Sequence, residues 1–83
     1  MAKVIIYSKK ICGYCVAAKN IFNQKKQEFE EIMLDGKPEL YVQLRKQTGM
    51  MTVPQIFIDD QFIGGYDELS ALEFTGDLDK LLK

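Results

Sequence analysis

Cys12-Gly13-Tyr14-Cys15 contains both cysteines of the chain, with two residues between them. It follows an apolar run, Val4-Ile5-Ile6-Tyr7, and opens a segment, Val16 to Lys26, that has the spacing of an amphipathic helix. A C-x-x-C pair at such a strand-to-helix junction suits dithiol redox chemistry. The sulfur of residue 12 meets the unpaired N–H groups and positive end of the helix, which favour thiolate over thiol. The sulfur of residue 15 lies one turn along on the same face, within reach of a disulfide. A free thiol with a pKa near ~8.5 is only slightly ionised at neutral pH, so the helix end and the nearby Lys9 and Lys10 matter. Cys12 is thus the expected nucleophile. Cys15, inside the helix and less exposed, is the expected resolving thiol.

The elements that must hold this pair follow from the pattern on either side. Val4 to Tyr7 is continuous, apolar and rich in β-branched residues, as in a strand buried on both faces. Ser8-Lys9-Lys10-Ile11 connects it to the cysteines. Cys15, Ala18 and Phe22, with Ala17 and Ile21 beside them, form one helical stripe, and Lys25 and Lys26 are predicted in its last turn. Glu28 to Leu34 reads as a second strand, parallel to the first through a right-handed crossover. Asp35-Gly36-Lys37-Pro38 starts a second helix with Leu40 and Leu44 on one face, Arg45 and Lys46 in the last turn and Gly49 as its stop. Gln55 to Ile58, a turn at Asp59-Asp60, and Gln61 to Ile63 make a hairpin, broken at Gly64-Gly65. Tyr66 then opens a helix capped by Asp67 or a neighbour. Leu69, Leu72, Leu78, Leu81 and Leu82 face one or two short C-terminal helices punctuated at Gly76. The order βαβαββα predicts an α/β fold, a four-stranded mixed sheet flanked by helices on both faces, in a single domain over residues 1–83.

Composition narrows the function. With 11 basic and 12 acidic residues the formal net charge is −1, which argues against a general nucleic-acid binder. No apolar run approaches the ~20 residues that span a bilayer, so no membrane partner is expected. Residues 1–4 lead straight into strand-like sequence without a signal-peptide apolar region, and a cytoplasmic location is the expectation. In that reducing compartment two closely spaced thiols point to catalysis or metal binding. A structural zinc module needs four ligands, whereas the chain has two Cys and no His.

Three motifs in this order resemble the glutaredoxins: Cys12-Gly13-Tyr14-Cys15, Thr52-Val53-Pro54 and Gly64-Gly65-Tyr66-Asp67-Glu68-Leu69. The resemblance covers essentially the whole chain, whose length suits the short bacterial dithiol type. It implies a thioredoxin fold and a glutathione-dependent thiol–disulfide oxidoreductase, monomeric and needing no metal for the redox reaction. Glutathione is then the co-substrate, and disulfide-containing or glutathionylated proteins, ribonucleotide reductase among them, are the partners. It implies glutathione contacts from Lys9, Tyr14, Thr52, Val53, Pro54, Gly65, Tyr66, Asp67 and Glu68. Pro54 is implied to be cis and to face the cysteines, with the Val53 N–H and C=O free to pair with an extended peptide. The turn at Gly65 is implied to hold the γ-glutamyl carboxylate, and Lys9 the glycyl carboxylate. A thioredoxin proper would be longer and usually carries a Trp before its Cys-Gly-Pro-Cys; this chain has no Trp.

Departures from the family pattern carry their own expectations. Gly13 stands where proline is frequent and leaves the redox potential open. It also admits a second reading, a carrier in which two subunits and two glutathiones hold a 2Fe–2S cluster through Cys12. Tyr66 stands where small residues are common and Glu68 where Asp is frequent, so both reshape the pocket. Tyr41 falls where an Arg or Gln often reaches glutathione, and Met50 and Met51 where a basic residue often precedes Thr-Val-Pro. Weaker glutathione binding than in a typical relative is the expectation.

Overall fold

The N-terminal apolar run forms β1 (Val4–Ser8), and the computed structural model, which describes residues 2–83, puts it inside a four-stranded sheet. The chain continues through α1 (Gly13–Gln24), β2 (Glu30–Met33), α2 (Pro38–Thr48), β3 (Gln55–Ile58), β4 (Gln61–Gly64), α3 (Tyr66–Thr75) and α4 (Asp77–Leu81). The sheet order is β2-β1-β3-β4. β1 runs parallel to β2, with Ile5 opposite Glu30, and antiparallel to β3, with Ile6 opposite Ile56. β3 and β4 form the expected hairpin. Asp59 and Asp60 both take positive φ (51° and 67°), the mirror-type turn whose twist matches that of the flanking strands.

Alternation along the two central strands makes two layers. Val4, Ile6, Ile56 and Ile58 pack against Ala18 and Phe22 of α1, Leu69 of α3 and Leu78 of α4. On the opposite face Phe57, Ile5 and Tyr7 meet Leu34 and, from α2, Leu40, Tyr41 and Leu44. Fully burying one Val, Leu, Ile or Phe side chain is worth ~1.5–3 kcal/mol. The first layer, with Ile6, Phe22, Ile56, Leu69 and Leu78 fully buried, is therefore the main anchor of α1, and it fixes the cysteine turn relative to β3 and α3.

Several boundaries differ from the sequence pattern. α1 begins at Gly13 rather than Val16, because Cys12, in extended backbone (φ −156°, ψ 103°), caps it. It ends at Gln24, so Lys25 and Lys26 lie beyond the last turn. Lys26 takes φ 57°, and the N–H groups of Lys26 and Gln27 donate to the carbonyls of Asn23 and Phe22, a Schellman closure with lysine at its left-handed position. Lys25 turns away to Glu73 of α3 and Asp79 of α4, both at 2.6 Å, where two carboxylates outweigh the weak helix-end field. β2 covers only Glu30–Met33 of the predicted 28–34: it is an edge strand paired with β1 alone, and the buried Gln27 amide holds the Ala2 and Glu28 carbonyls before it. α3 is capped by Gly65, not Asp67, while the two short C-terminal helices separate at Gly76 (φ 85°) as expected.

Candidate active site

The end of β1, the first turn of α1, the segment before β3 and the turn before α3 converge. Ser8, fully buried, closes β1, and the following loop is tied down where the Lys10 N–H donates to Asp35 Oδ1 at 2.8 Å. Cys12 is half-buried and caps α1: its Sγ accepts the Cys15 N–H at 3.2 Å, and its carbonyl accepts the Val16 N–H. An N–H of the helix start thus points at this sulfur, an arrangement that favours thiolate once the thiol is free. Cys15 is 1% exposed and bonded to Cys12 in a disulfide, with 5.3 Å between the Cα atoms. One sulfur is reachable from solvent and the other is shielded behind it.

Across from Cys12 lies the loop that precedes β3. The Val53–Pro54 bond is cis, and the Val53 carbonyl oxygen is 3.9 Å from Cys12 Sγ. The Val53 N–H has no partner among the described residues. A groove of about 340 Å³ runs beside this point, lined by Tyr14, Met50, Thr52, Val53, Pro54, Gly65, Tyr66, Asp67 and Glu68. That places eight of the nine residues expected to contact glutathione along one surface. Lys9 is the ninth, and it lies elsewhere: its Nζ sits 4.7 Å from the ring centroid of Tyr41, where a cation meets the negative ring face.

The far end of the groove is built by close approach. A Cβ on Gly65 would lie 3.3 Å from the Pro54 carbonyl oxygen and 3.6 Å from Met50 Cε, so glycine lets the two loops face each other. Glu68 Oε1 accepts the Gly65 N–H at 2.6 Å. This is half of a capping box, since glycine offers no side-chain acceptor in return. The remaining unpaired N–H groups at the start of α3 are those of Tyr66, Asp67 and Glu68. The rings of Tyr14 and Tyr66 lie 5.6 Å apart, tilted by 36°, and join the two helix starts above the groove. Among the described residues no cluster of three or more His, Cys, Asp or Glu could hold a metal ion.

Sequence reasoning passed over Gln55 as the first residue of a strand. It is fully buried, and its Nε2 donates to the carbonyls of Met50 and Thr52 at 2.9 and 3.1 Å. A glutamine in an otherwise apolar run after proline was the available signal.

The glutaredoxin family description matches residues 4–63. Glutaredoxin 3 of Escherichia coli (strain K12) is 48% identical over 83 residues, the full length of both chains. The chain belongs to the glutaredoxin family. Among solved structures, a glutaredoxin from Brucella melitensis superposes with a TM-score of 0.89 at 46% identity, covering all of this chain and 90% of that one. A buckwheat glutaredoxin–glutathione complex superposes with a TM-score of 0.91 at 33% identity, covering 95% of this chain and 74% of that one. The mixed sheet with its flanking helices is accordingly a thioredoxin fold, and this glutaredoxin's paired Cys12 and Cys15 are those of a thiol–disulfide oxidoreductase.

Proposed function

We propose that this glutaredoxin reduces protein disulfides and glutathione mixed disulfides with glutathione as the electron donor. The observation that carries the reading is the course of the groove: it runs along the unpaired Val53 edge, whose carbonyl oxygen lies 3.9 Å from Cys12 Sγ, to the start of α3. An extended tripeptide in that groove pairs its backbone with the Val53 N–H and C=O as a short added strand. Its γ-glutamyl carboxylate meets the N–H groups of Tyr66 and Asp67, and its ammonium meets the exposed Asp67 carboxylate. Tyr14, Thr52 and Pro54 flank the cysteinyl part. Lys9 is the cation for the glycyl carboxylate and leaves the Tyr41 ring to reach it. A glutathione complex of a structural relative, from buckwheat, supports this occupant.

Each step exchanges one sulfur–sulfur bond for another. The Cys12 thiolate attacks a substrate disulfide, forms a mixed disulfide and expels one substrate thiolate. The Cys15 thiolate then attacks Cys12 Sγ and releases the second, leaving Cys12 and Cys15 oxidised. A glutathione thiolate attacks Cys12 Sγ and frees Cys15, and a second attacks the bound glutathione sulfur, releasing glutathione disulfide and the Cys12 thiolate. The partial exposure of Cys12 and the burial of Cys15 support this division of roles. With a glutathionylated substrate Cys12 takes the glutathione, a second glutathione removes it, and Cys15 is not needed.

Paired assays on Cys12→Ser and Cys15→Ser test the reading, one with a small glutathione mixed disulfide and one with a protein disulfide. Cys12→Ser is expected to lose both activities. Cys15→Ser is expected to keep the first and lose the second. Equal losses in both assays for both variants would refute the assignment. The protein is taken to act as a monomer in the cytoplasm, where a glutathione pool keeps thiols reduced.

A further inference from the structure

We propose that Gln55 is a positioning residue for glutathione: from beneath the sheet surface it sets the loop that offers Val53 to the substrate. This rests on the glutathione reading above. The loop from Gly49 to Val53 joins α2 to β3 and has no ladder to hold it. Gln55, on the α2 side of β3, supplies the support. Its Oε1 accepts from Thr48 Oγ1 at 2.8 Å, and its Nε2 donates to the carbonyls of Met50 and Thr52 at 2.9 and 3.1 Å. Both amide hydrogens are therefore used. The flipped amide would turn its oxygen on two carbonyls, so only this orientation is satisfied.

Two further contacts complete the tie. Thr48 Oγ1 accepts the Met50 N–H at 3.2 Å, and the Tyr41 hydroxyl donates to the Met51 carbonyl. The carbonyls of Met50, Met51 and Thr52 are thus each held by a side chain. The Val53 carbonyl is the next in line, and it faces Cys12 with no such hold. The network holds three successive carbonyls of the loop and leaves free the Val53 pair a peptide substrate needs. Gln55 itself does not line the groove and touches neither sulfur, so its effect runs through the loop alone.

The test compares wild type with Gln55→Met, which keeps the side-chain length and removes all three hydrogen bonds. The glutathione KM is expected to rise about tenfold, the factor that ~1.4 kcal/mol of lost loop order represents. The kcat should stay within about twofold, since the loss falls on binding. Alkylation of reduced Cys12 by iodoacetamide, which needs no groove, should keep its wild-type rate. Gln55→Asn keeps a carboxamide but loses one methylene of reach, and it provides a second arm if the Met variant does not fold. A folded variant of either kind with a wild-type KM, or one whose alkylation rate falls in parallel with activity, would overturn the positioning role. Wild-type turnover that fails to saturate with glutathione would instead overturn the glutathione reading itself.

Discussion

Replacing Gly64 with Ala should expose how the far end of the groove is built, because two separate costs meet at that residue. Gly64 has φ 128°, a backbone conformation that side-chain-bearing residues rarely adopt. Forcing alanine into such a region costs ~1–3 kcal/mol. The added Cβ would also lie 2.6 Å from Glu68 Oε1, 2.7 Å from its Cγ and 2.9 Å from its Cβ. A rotamer change can move the carboxylate, with loss of the bond to the Gly65 N–H, worth about 1 kcal/mol as a capping contact. It cannot move the Glu68 Cβ, so the backbone of α3 must shift, an overpacking cost of ~1–3 kcal/mol. The total is roughly 3–7 kcal/mol, against roughly 4–12 kcal/mol of stability expected for a domain of this size.

A double-mutant cycle separates these parts. In a Glu68→Gly background the cap is already lost and the opposing Cβ is gone, so Gly64→Ala should cost only its backbone strain. The coupling between the two sites is then about 2–4 kcal/mol. The assay is urea unfolding of the reduced proteins followed by far-UV circular dichroism, since the chain has no Trp to report by fluorescence. If Gly64→Ala costs the same in both backgrounds, to within about 0.5 kcal/mol, the contact with Glu68 is energetically silent and this account of the turn is wrong.

Other perturbations probe the remaining supports. Gly13→Pro should stabilise the protein by ~0.4–1 kcal/mol: Gly13 is the first helical residue, a Cβ there meets nothing within 4 Å, and Cys12 already has the extended backbone that precedes proline. A lower melting temperature in that variant would contradict the cap geometry. Glu31 is held below its ordinary value of 4.5 by Lys19 first and Ser8 second. It therefore stabilises the fold above that pH and ceases to as pH falls through its depressed folded value. Glu31→Gln should cost about 1 kcal/mol at neutral pH, and its urea midpoint should converge with wild type in acid. Lys25 is held above its ordinary 10.5 by Asp79 first and Glu73 second. Its contribution is present below that pH and lost as pH rises through the raised value. Lys25→Met should cost no more than about 1 kcal/mol near neutrality, given the solvent-screened partners, and less in strong alkali; a gap that widens with alkali would have the wrong sign.

What the sequence made legible was whatever repeats or sits close by. The apolar run of β1, the stripe of Cys15, Ala18 and Phe22, and the Gly49 stop at φ 77° each follow from a local rule, and each lies where that rule put it. The three motifs named the family because each is itself a short local run. Pairings between distant residues were illegible. Nothing near Lys25 announces Asp79, which lies 54 positions along the chain, so the helix-end rule placed the lysine on the wrong partner. The position of Lys9 was hidden for the same reason: Tyr41, on α2, comes to lie beneath its ammonium only after the sheet has folded. Gln55 lies between the two cases. Its partners, Thr48, Met50 and Thr52, are near in sequence, but its side chain reaches them only because β3 runs under the end of α2. A polar residue inside an apolar strand flags a burial that must be satisfied. The fold alone identifies the groups that satisfy it, and here they belong to the loop that carries Val53 to the nucleophile.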